Sequence, residues 1–478
     1  MKFIRTDFSS TVLWELLAAT CILLAAAFHN GYPMVFSDSG TYISSGFEGK
    51  VPMDRPIVYG LFIRHASLAV TLWGPVLVQS FLLAWVLRLL LLPYFPERFT
   101  GKYLLLLAGC CMLTALPWYA GQLMPDIFTA IQIVVLAIVL TRKQLPWRLS
   151  ALLGALFVLC CLVHFSNLFI GVFTVLGVLA ALAIWRVLRP QFPFWQRRSL
   201  LVGAWCLSAF ILLPAINWVF ERQFTLGKGG YTFIIGRMVD NGLLKMYLDD
   251  QCAAKNYRLC LYKDSLPENS RKFHWDSSSP LYREGGWGAP EAEYRAIVWG
   301  TLTSPKYLGL HLWKSVLGVP TQLMQNAIGS GMDYGWYRSP ESPPYQAIQR
   351  FFPHEFNEYR ASRQCGNLWG QELDLKFFNN LNYWVLCATV LALIWFLFFD
   401  QSGTIAPFLP LLAVFGAGVL ANAFITSSLG VIADRFSPRV IWLLTLWVLV
   451  VLIQKIALFQ TKRGPEAADP SFAEHPVE

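Results

Sequence analysis

Ten apolar segments run through this chain of 478 residues, and they constrain its fold more than any motif does. A bilayer accepts only helices or closed barrels, because every backbone polar group inside it must be satisfied internally. Several segments are shorter than the roughly 20 residues that a spanning helix needs, so we expect their ends to continue into the flanking sequence. The segments are Val12–Phe28, Leu68–Leu92, Tyr103–Leu116, Ile127–Leu140, Leu149–Val163, Leu168–Trp185, Leu200–Val219, Tyr383–Phe399, Ile405–Phe424 and Val440–Leu458.

The segments predict an all-α polytopic membrane protein with about ten transmembrane helices. The first segment is too long for a signal-peptide core and lacks a small-residue cleavage site, so we interpret it as a retained span. A mean hydropathy of +0.47 and a hydrophobic content of 55% are also typical of an integral membrane protein.

Basic residues indicate the orientation. With the basic N-terminus inside, alternation of the spans places four further basic clusters on the same side, in agreement with the positive-inside rule. These clusters are Arg88/Arg98/Lys102, Arg142/Lys143/Arg148, Arg186/Arg189/Arg197/Arg198 and Lys462/Arg463. They carry most of the net charge of +9, so the sequence predicts membrane lipid, and no nucleic acid, as their partner. We expect a bacterial inner membrane protein with both termini in the cytoplasm.

The same pattern divides the chain. Residues 1–220 would hold the first seven spans and an outer loop at 29–67. Residues 221–382 are rich in Tyr, Trp, Gly and Pro and too long for a linker, which predicts a mixed extracytoplasmic domain. Residues 383–460 would hold the last three spans, and the Pro- and acid-rich residues 461–478 predict a disordered cytoplasmic tail.

Three of the ten cysteines lie in the predicted outer region, where thiols oxidise readily. Cys252 and Cys260 are close in sequence, and we predict a disulfide between them. The alternative is that Cys365 pairs with one of the two.

Polar residues of the first outer loop are candidates for chemistry. Asp38, near the membrane surface, could act as a general base or hold a metal, and the forked donor of Arg55 suits phosphate oxygens. The alternative interpretation is structural. Asp38 would then cap a helix in competition with Ser37 or Ser39, while Arg55 would pair with Asp54 or with lipid.

Other outside-facing residues could join them. Asp126 begins the fourth span after a proline, which is also ordinary helix-start chemistry. His164 and Asn167 lie at the outer end of the fifth span, where a polar group usually faces a cavity or a partner, although the histidine could simply satisfy a backbone group. Arg435 and Arg439 lie outside, against the positive-inside bias, and therefore require an anionic partner.

The first loop resembles that of the GT-C glycosyltransferases. The resemblance rests on Asp38-Ser39-x-x-Tyr42 after the first span and on Arg55-Pro56-x-x-Tyr59 before the second, and Arg435-Phe436 is similar to a pair that precedes the last spans in that family. The resemblance implies a GT-C-like helix arrangement, a polyprenyl-phosphate-linked sugar as donor and Asp38 as the catalytic residue. The loop has no paired acidic residues, so a divalent cation is left open and the metal is unknown.

The sequence thus predicts a glycosyltransferase with a periplasmic active site, acting on a glycan, lipid or protein acceptor. The expected substrate-binding residues are Tyr42, Asp54, Arg55, Tyr59, Asp126, His164, Asn167, Arg435 and Arg439. Of these, Arg55, Asp126, His164 and Arg435 should converge with Asp38 around one cavity at the outer membrane surface that opens sideways to lipid. Two alternatives stay open: a transporter or flippase for a lipid-linked saccharide, whose spans should carry more charge than Glu15 and Arg88, and a non-catalytic envelope assembly protein.

Overall fold

A computed structural model describes residues 10–328, 331–333, 335–366, 373–400 and 402–462. Within these ranges the chain forms helices and no strand, apart from one isolated bridge between Met34 and Gln122. The first half contains α1 (Ser10–Leu23), α2 (Ala25–Asn30), α3 (Ser37–Glu48), α4 (Val58–Ser67), α5 (Trp73–Leu91), α6 (Phe99–Leu113), α7 (Leu116–Ala120), α8 (Ile127–Thr141), α9 (Trp147–Val163), α10 (Phe165–Ile184) and α11 (Trp195–Glu221).

The second half begins outside the predicted spans and returns to them. It contains α12 (Gly230–Asp240), α13 (Leu243–Gln251), α14 (Ser270–Trp275), α15 (Pro280–Arg283), α16 (Glu291–Thr303), α17 (Pro305–Met324), α18 (Pro343–Phe351), α19 (Phe356–Ala361), α20 (Lys376–Phe398), α21 (Leu409–Leu429) and α22 (Pro438–Lys462). Short 3-10 turns lie at Arg186–Gln191, Arg258–Tyr262, Gly335–Arg338, Arg363–Cys365 and Ala406–Phe408.

Six helices in the described residues are long and apolar enough to cross a membrane: α5, α10, α11, α20, α21 with the turn before it, and α22 up to Phe459. The other four predicted spans coincide with shorter apolar helices, α1, α6, α8 and α9. The chain is therefore a helical protein whose long apolar helices fit an integral membrane protein. Ten spans and a GT-C-like arrangement remain predictions.

Helix α8 is one of the four shorter apolar helices, yet it is buried along almost its whole length. Every residue of α8 from Ile127 to Leu140 is buried, and the helix packs against α5, α9, α21 and α22. Its 15 residues extend only about 22 Å at 1.5 Å per residue. Because protein surrounds it on all sides, the residue before it, Asp126, lies inside the bundle.

Several predicted boundaries are wrong. The first outer segment is helical rather than a loop, since α3 and α4 lie within it, and the second span begins only at Trp73. Leu68 and Ala69 end α4 with φ of 52° and 55°, a left-handed conformation that a continuous helix cannot contain. Helix α21 continues to Leu429, five residues beyond the predicted end. Helix α22 includes residues 461 and 462, and the rest of the predicted tail lies outside the described residues.

The predicted outer domain consists of two packing units. Helices α12 to α17 enclose their own apolar core, which includes Ile235, Phe273 and Tyr294. Helix α18 instead packs on α3 and joins the main core of the bundle. Within the described ranges the region is helical rather than mixed in secondary structure.

Helices α3 and α4 pack at backbone contact. A Cβ atom placed on Gly46 would lie 2.0 Å from the carbonyl oxygen of Gly60. No side chain fits there, so the two glycines permit the last turn of α3 to pack directly on the first turn of α4.

The structure joins Cys252 and Cys260 in a disulfide, and Cys365 is a buried free thiol. We predict that peptide mapping under non-reducing conditions recovers the Cys252–Cys260 peptide pair. Cys252→Ser should cost the outer unit about 2–3 kcal/mol of unfolding free energy, the chain-entropy value for so short a loop.

The matched control is Cys365→Ser, which removes a thiol but no cross-link and should leave the mapped pair intact. Recovery of Cys365 in a mixed disulfide would contradict both the pairing and the separation of the two outer units.

Candidate functional site

Three carboxylates and three guanidinium groups alternate in one chain of ion pairs. Asp54 pairs with Arg55, and Arg55 Nη1 lies 3.1 Å from Asp38 Oδ1. Arg435 donates from Nη1 to Asp38 Oδ2 at 2.8 Å and from Nη2 to Asp126 Oδ2 at 2.9 Å. Arg439 Nη1 closes the chain on Asp126 Oδ1 at 3.1 Å. Four segments of the chain thus supply one cluster, which we call the ion chain.

Burial increases along the ion chain. The side chains of Asp126 and Arg439 are 0% exposed, whereas that of Asp38 is 22% exposed. The side chain of Asp54 is 14% exposed, and Arg55 is buried between the two carboxylates. One end is therefore sealed inside the bundle, and the end formed by Asp38, Arg55 and Asp54, which we call the open end, is partly accessible through its carboxylates.

The first turn of α3 presents Asp38. Phe36 N–H donates to Ser39 Oγ at 2.9 Å, and Ser39 Oγ donates to the carbonyl oxygen of Leu123, also at 2.9 Å. The backbone N–H of Met34 donates to the carbonyl oxygen of Gly121, and the carbonyl oxygen of Met34 accepts from the N–H of Leu123. Ser39 thus takes the capping role, and the alternative interpretation of Asp38 as the helix cap is wrong.

Asp126 immediately precedes α8 but makes no side-chain capping bond. Its two oxygens accept from Arg435 and Arg439 instead. Burial alone would raise the pKa of Asp126, but the attraction of these two cations outweighs it and lowers the pKa well below its usual range. The carboxylate is permanently charged and holds α8 to the turn before α22.

Polar residues that the sequence analysis missed hold the two arginines. Asn422 of α21 accepts from Arg439 Nε at 3.1 Å and from Nη2 at 2.7 Å. Gln322 of α17 is fully buried and donates to the carbonyl oxygen of Ala433 and to Ser437 Oγ, on either side of Arg435. Tyr119 O–H donates to the carbonyl oxygen of Arg435 at 2.9 Å. An amide inside an apolar span, as at Asn422, is the one sequence signal that could have indicated this role.

Aromatic rings cover the cationic groups. Arg55 lies 5.1 Å from the ring centre of Tyr42, and Arg435 lies 4.7 Å from that of Phe36. Tyr59 packs edge-on against Tyr42, but its hydroxyl donates to Gln79 at 3.0 Å. Of the two predicted tyrosines, Tyr42 therefore contacts the ion chain, and Tyr59 supports it from behind.

His164 and Asn167 lie beside the buried end. His164 Nδ1 accepts from the backbone N–H of Ser166, whose hydroxyl is 3.2 Å from Arg439 Nη2. Burial and the nearby Arg439 lower the pKa of His164 to about 3, so its ring is neutral. Asn167 bonds to Thr129 and to the carbonyl oxygen of Cys160. Both residues stabilise helix junctions rather than the open end.

Asp38 experiences two opposing influences. Burial raises the pKa of this carboxyl group, but the guanidinium groups of Arg55 and Arg435 lower it more, so its pKa is below the ordinary value. Asp38 is a stable anion and, while both pairs persist, a weak base.

The ion chain does not fit a divalent cation. Among the described residues, no group of three or more His, Cys, Asp or Glu side chains is placed to hold a metal ion. The guanidinium of Arg435 occupies the position between Asp38 and Asp126 that a shared cation would need. We therefore derive no step through a metal.

Comparison with known proteins gives no relative. No family model, no curated protein and no solved structure matches this chain.

The buried pair of Asp126 and Arg439 should dominate local stability. We predict that Arg439→Gln lowers the free energy of unfolding by about 3–5 kcal/mol, because it leaves part of a buried carboxylate uncompensated. Thermal unfolding of the purified protein measures the effect. Adding Asp126→Asn should recover part of the loss, which a double-mutant cycle detects.

Lys245→Gln is the matched control. It breaks an ion pair with Asp249 whose two side chains are nearly half exposed, so it should cost less than about 1 kcal/mol. Equal losses for Arg439→Gln and Lys245→Gln would show that the buried pair has no special role.

Proposed function

We propose that this protein is a membrane glycosyltransferase that takes a sugar from a polyprenyl-phosphate donor at the outer face of the membrane. The observation that supports the proposal is the position of Asp38, held between Arg55 and Arg435 at the open end of the ion chain. The proposal also rests on the resemblance of the first outer segment to GT-C enzymes.

The cationic groups suit a phosphate because guanidinium presents paired donors to oxyanions. The ion chain is neutral overall, with three negative and three positive side chains. An incoming phosphate must therefore compete with Asp38 for Arg55 and Arg435. Arg55 Nη1 has spare capacity, since it is close to Asp38 but makes no aligned hydrogen bond.

This competition links donor binding to catalysis. When the phosphate takes over the two arginines, Asp38 loses the cations that depress its pKa and becomes a stronger base. Asp38 then accepts the proton of an acceptor hydroxyl as that oxygen attacks the anomeric carbon. The bond from the anomeric carbon to the phosphate oxygen breaks, and the lipid phosphate leaves with the electron pair, stabilised by Arg55 and Arg435.

A transfer assay tests the function. Purified protein is given polyprenyl phosphate that carries a radiolabelled sugar, together with an envelope extract as the source of acceptor. Labelled product supports the proposal. Movement of the intact labelled lipid across a sealed vesicle, without cleavage, would support the flippase alternative instead.

We predict that Asp38→Asn lowers the transfer rate by about 10²–10⁴-fold, because asparagine keeps the shape of the side chain but cannot accept the proton. The melting temperature should fall, but less than in Arg439→Gln, because Arg55 keeps its pair with Asp54, Arg435 keeps its pair with Asp126, and Asp38 is 22% exposed.

Asp54→Asn is the matched control, because Asp54 also pairs with Arg55 but does not contact Arg435 in the ion chain. It should reduce transfer less than Asp38→Asn. Transfer at the wild-type rate by Asp38→Asn would end the catalytic assignment.

The pKa of Asp38 leads to a prediction about pH. A carboxyl group with a lowered pKa in the folded state contributes stability above its unfolded pKa of about 3.9 and loses it as the pH falls through the folded value. Over the same pH range Asp38 stays ionised in the free enzyme. The kcat/KM for transfer should therefore not fall through protonation of Asp38 between pH 8 and about pH 5. An acidic limb that is centred above pH 5 in the wild type and absent from Asp38→Asn would contradict the double pairing.

A further inference from the structure

The outer unit has a polar cavity of about 310 Å³, at the lower end of the roughly 300–1,000 Å³ of ligand sites. Its walls come from Tyr262 and the segment that follows it, from α14 and α15, and from the residues that join these two helices. They include Glu268, Lys272, Asp276, Ser279, Arg283 and Tyr262. Arg283 lies 5.8 Å from the ring centre of Tyr262, so the cavity combines an aromatic ring with charges of both signs.

A pair of tryptophans, one of them exposed, lies beside this cavity. Lys272 and Trp275 share one face of α14, because residues three apart are neighbours on a helix, and Asp276 directly follows its last residue. Phe273 and His274, between them, are fully buried. Trp275 is 55% exposed, and its ring centre lies 5.3 Å from that of the partly buried Trp287.

The aromatic pair leads towards the ion chain. A Cβ atom on Gly229 would lie 3.0 Å from the ring of Trp287 and 2.6 Å from the carbonyl oxygen of Met53. Only glycine fits at position 229 against both Trp287 and the backbone of Met53. Trp287 therefore lies near the segment that continues into Asp54 and Arg55. Lys228 Nζ donates to the carbonyl oxygen of Val51 at 3.0 Å and fixes the same segment.

This combination suits a carbohydrate. A sugar ring presents C–H groups on its faces, which pack on aromatic rings, and hydroxyl groups at its edges, which bond to carboxylates and cations. Asp276 of the cavity wall directly follows the exposed Trp275, and Trp287, which stacks on His274 and lies against Trp275, connects this surface to the backbone near Met53. We propose that this surface binds a carbohydrate chain of several units and delivers its end to Asp38 as the acceptor, an inference whose catalytic part rests on the proposed function.

A membrane contact is the other use of an exposed tryptophan, since indole rings collect at membrane interfaces. The surroundings of Trp275 favour the carbohydrate. The adjoining cavity wall carries two acidic and two basic side chains, Glu268, Asp276, Lys272 and Arg283, which would be costly to bury against lipid but can exchange hydrogen bonds with sugar hydroxyl groups.

Binding is tested with the full-length protein in detergent on an array of immobilised oligosaccharides of three to six units. The wild type should be retained by at least one oligosaccharide. Trp275→Ala and Asp276→Ala should each weaken that binding at least tenfold, and Trp275→Phe, which keeps a ring, should weaken it less. Trp313→Ala is the control, because Trp313 of α17 is also exposed but does not line the cavity.

The inference would be overturned if no oligosaccharide retained the wild type, or if Trp313→Ala and Trp275→Ala lost equal binding. It would also be overturned if brominated phosphatidylcholine quenched the part of the tryptophan fluorescence that is missing in Trp275→Phe, because that would place Trp275 in lipid.

Asp38→Asn separates this inference from the proposed function. That variant should still bind the oligosaccharide while losing transfer. Binding without any wild-type transfer would leave the carbohydrate site standing and remove the glycosyltransferase, whereas transfer without binding would do the reverse.

Discussion

The contact of Arg435 with two carboxylates is the interaction on which the rest of the structure depends. One guanidinium joins Asp38 of α3 to Asp126 at the start of α8, and Arg439 completes the balance on Asp126. Charges so deeply buried are tolerated only when paired, because an isolated ion would cost several kcal/mol. Each member therefore fixes the position of the segment that carries it.

The gradient of burial gives the two ends of the ion chain different tasks. Asp126 and Arg439 are sealed from solvent and fixed further by Asn422, so they can act only as structure. Asp38 is 22% exposed, whereas Arg55 beside it is buried against the ring of Tyr42. The pairs at this end are therefore less completely shielded from solvent than the pair of Asp126 and Arg439.

The outer unit is connected to the same place by two routes. Helix α17 runs from that unit to the turn around Arg435, where Gln322 holds the backbone of Ala433. Gly229 and Trp287 contact Met53, next to Asp54. A ligand held on the outer unit would thus be positioned by elements that also set the geometry of the two arginines.

The sequence by itself determined the helical, membrane-type architecture, because apolar runs are a local property, and it singled out all six members of the ion chain as candidate site residues. Only the tertiary structure decided which of them meet. Asp38 and Arg435 are 397 residues apart, and no local pattern encodes their contact. The helix break at Leu68 and the role of Gln322 were equally invisible, because they arise from neighbours that packing alone brings together. Asn422 was detectable as an amide within an apolar segment, but its partner Arg439 was not.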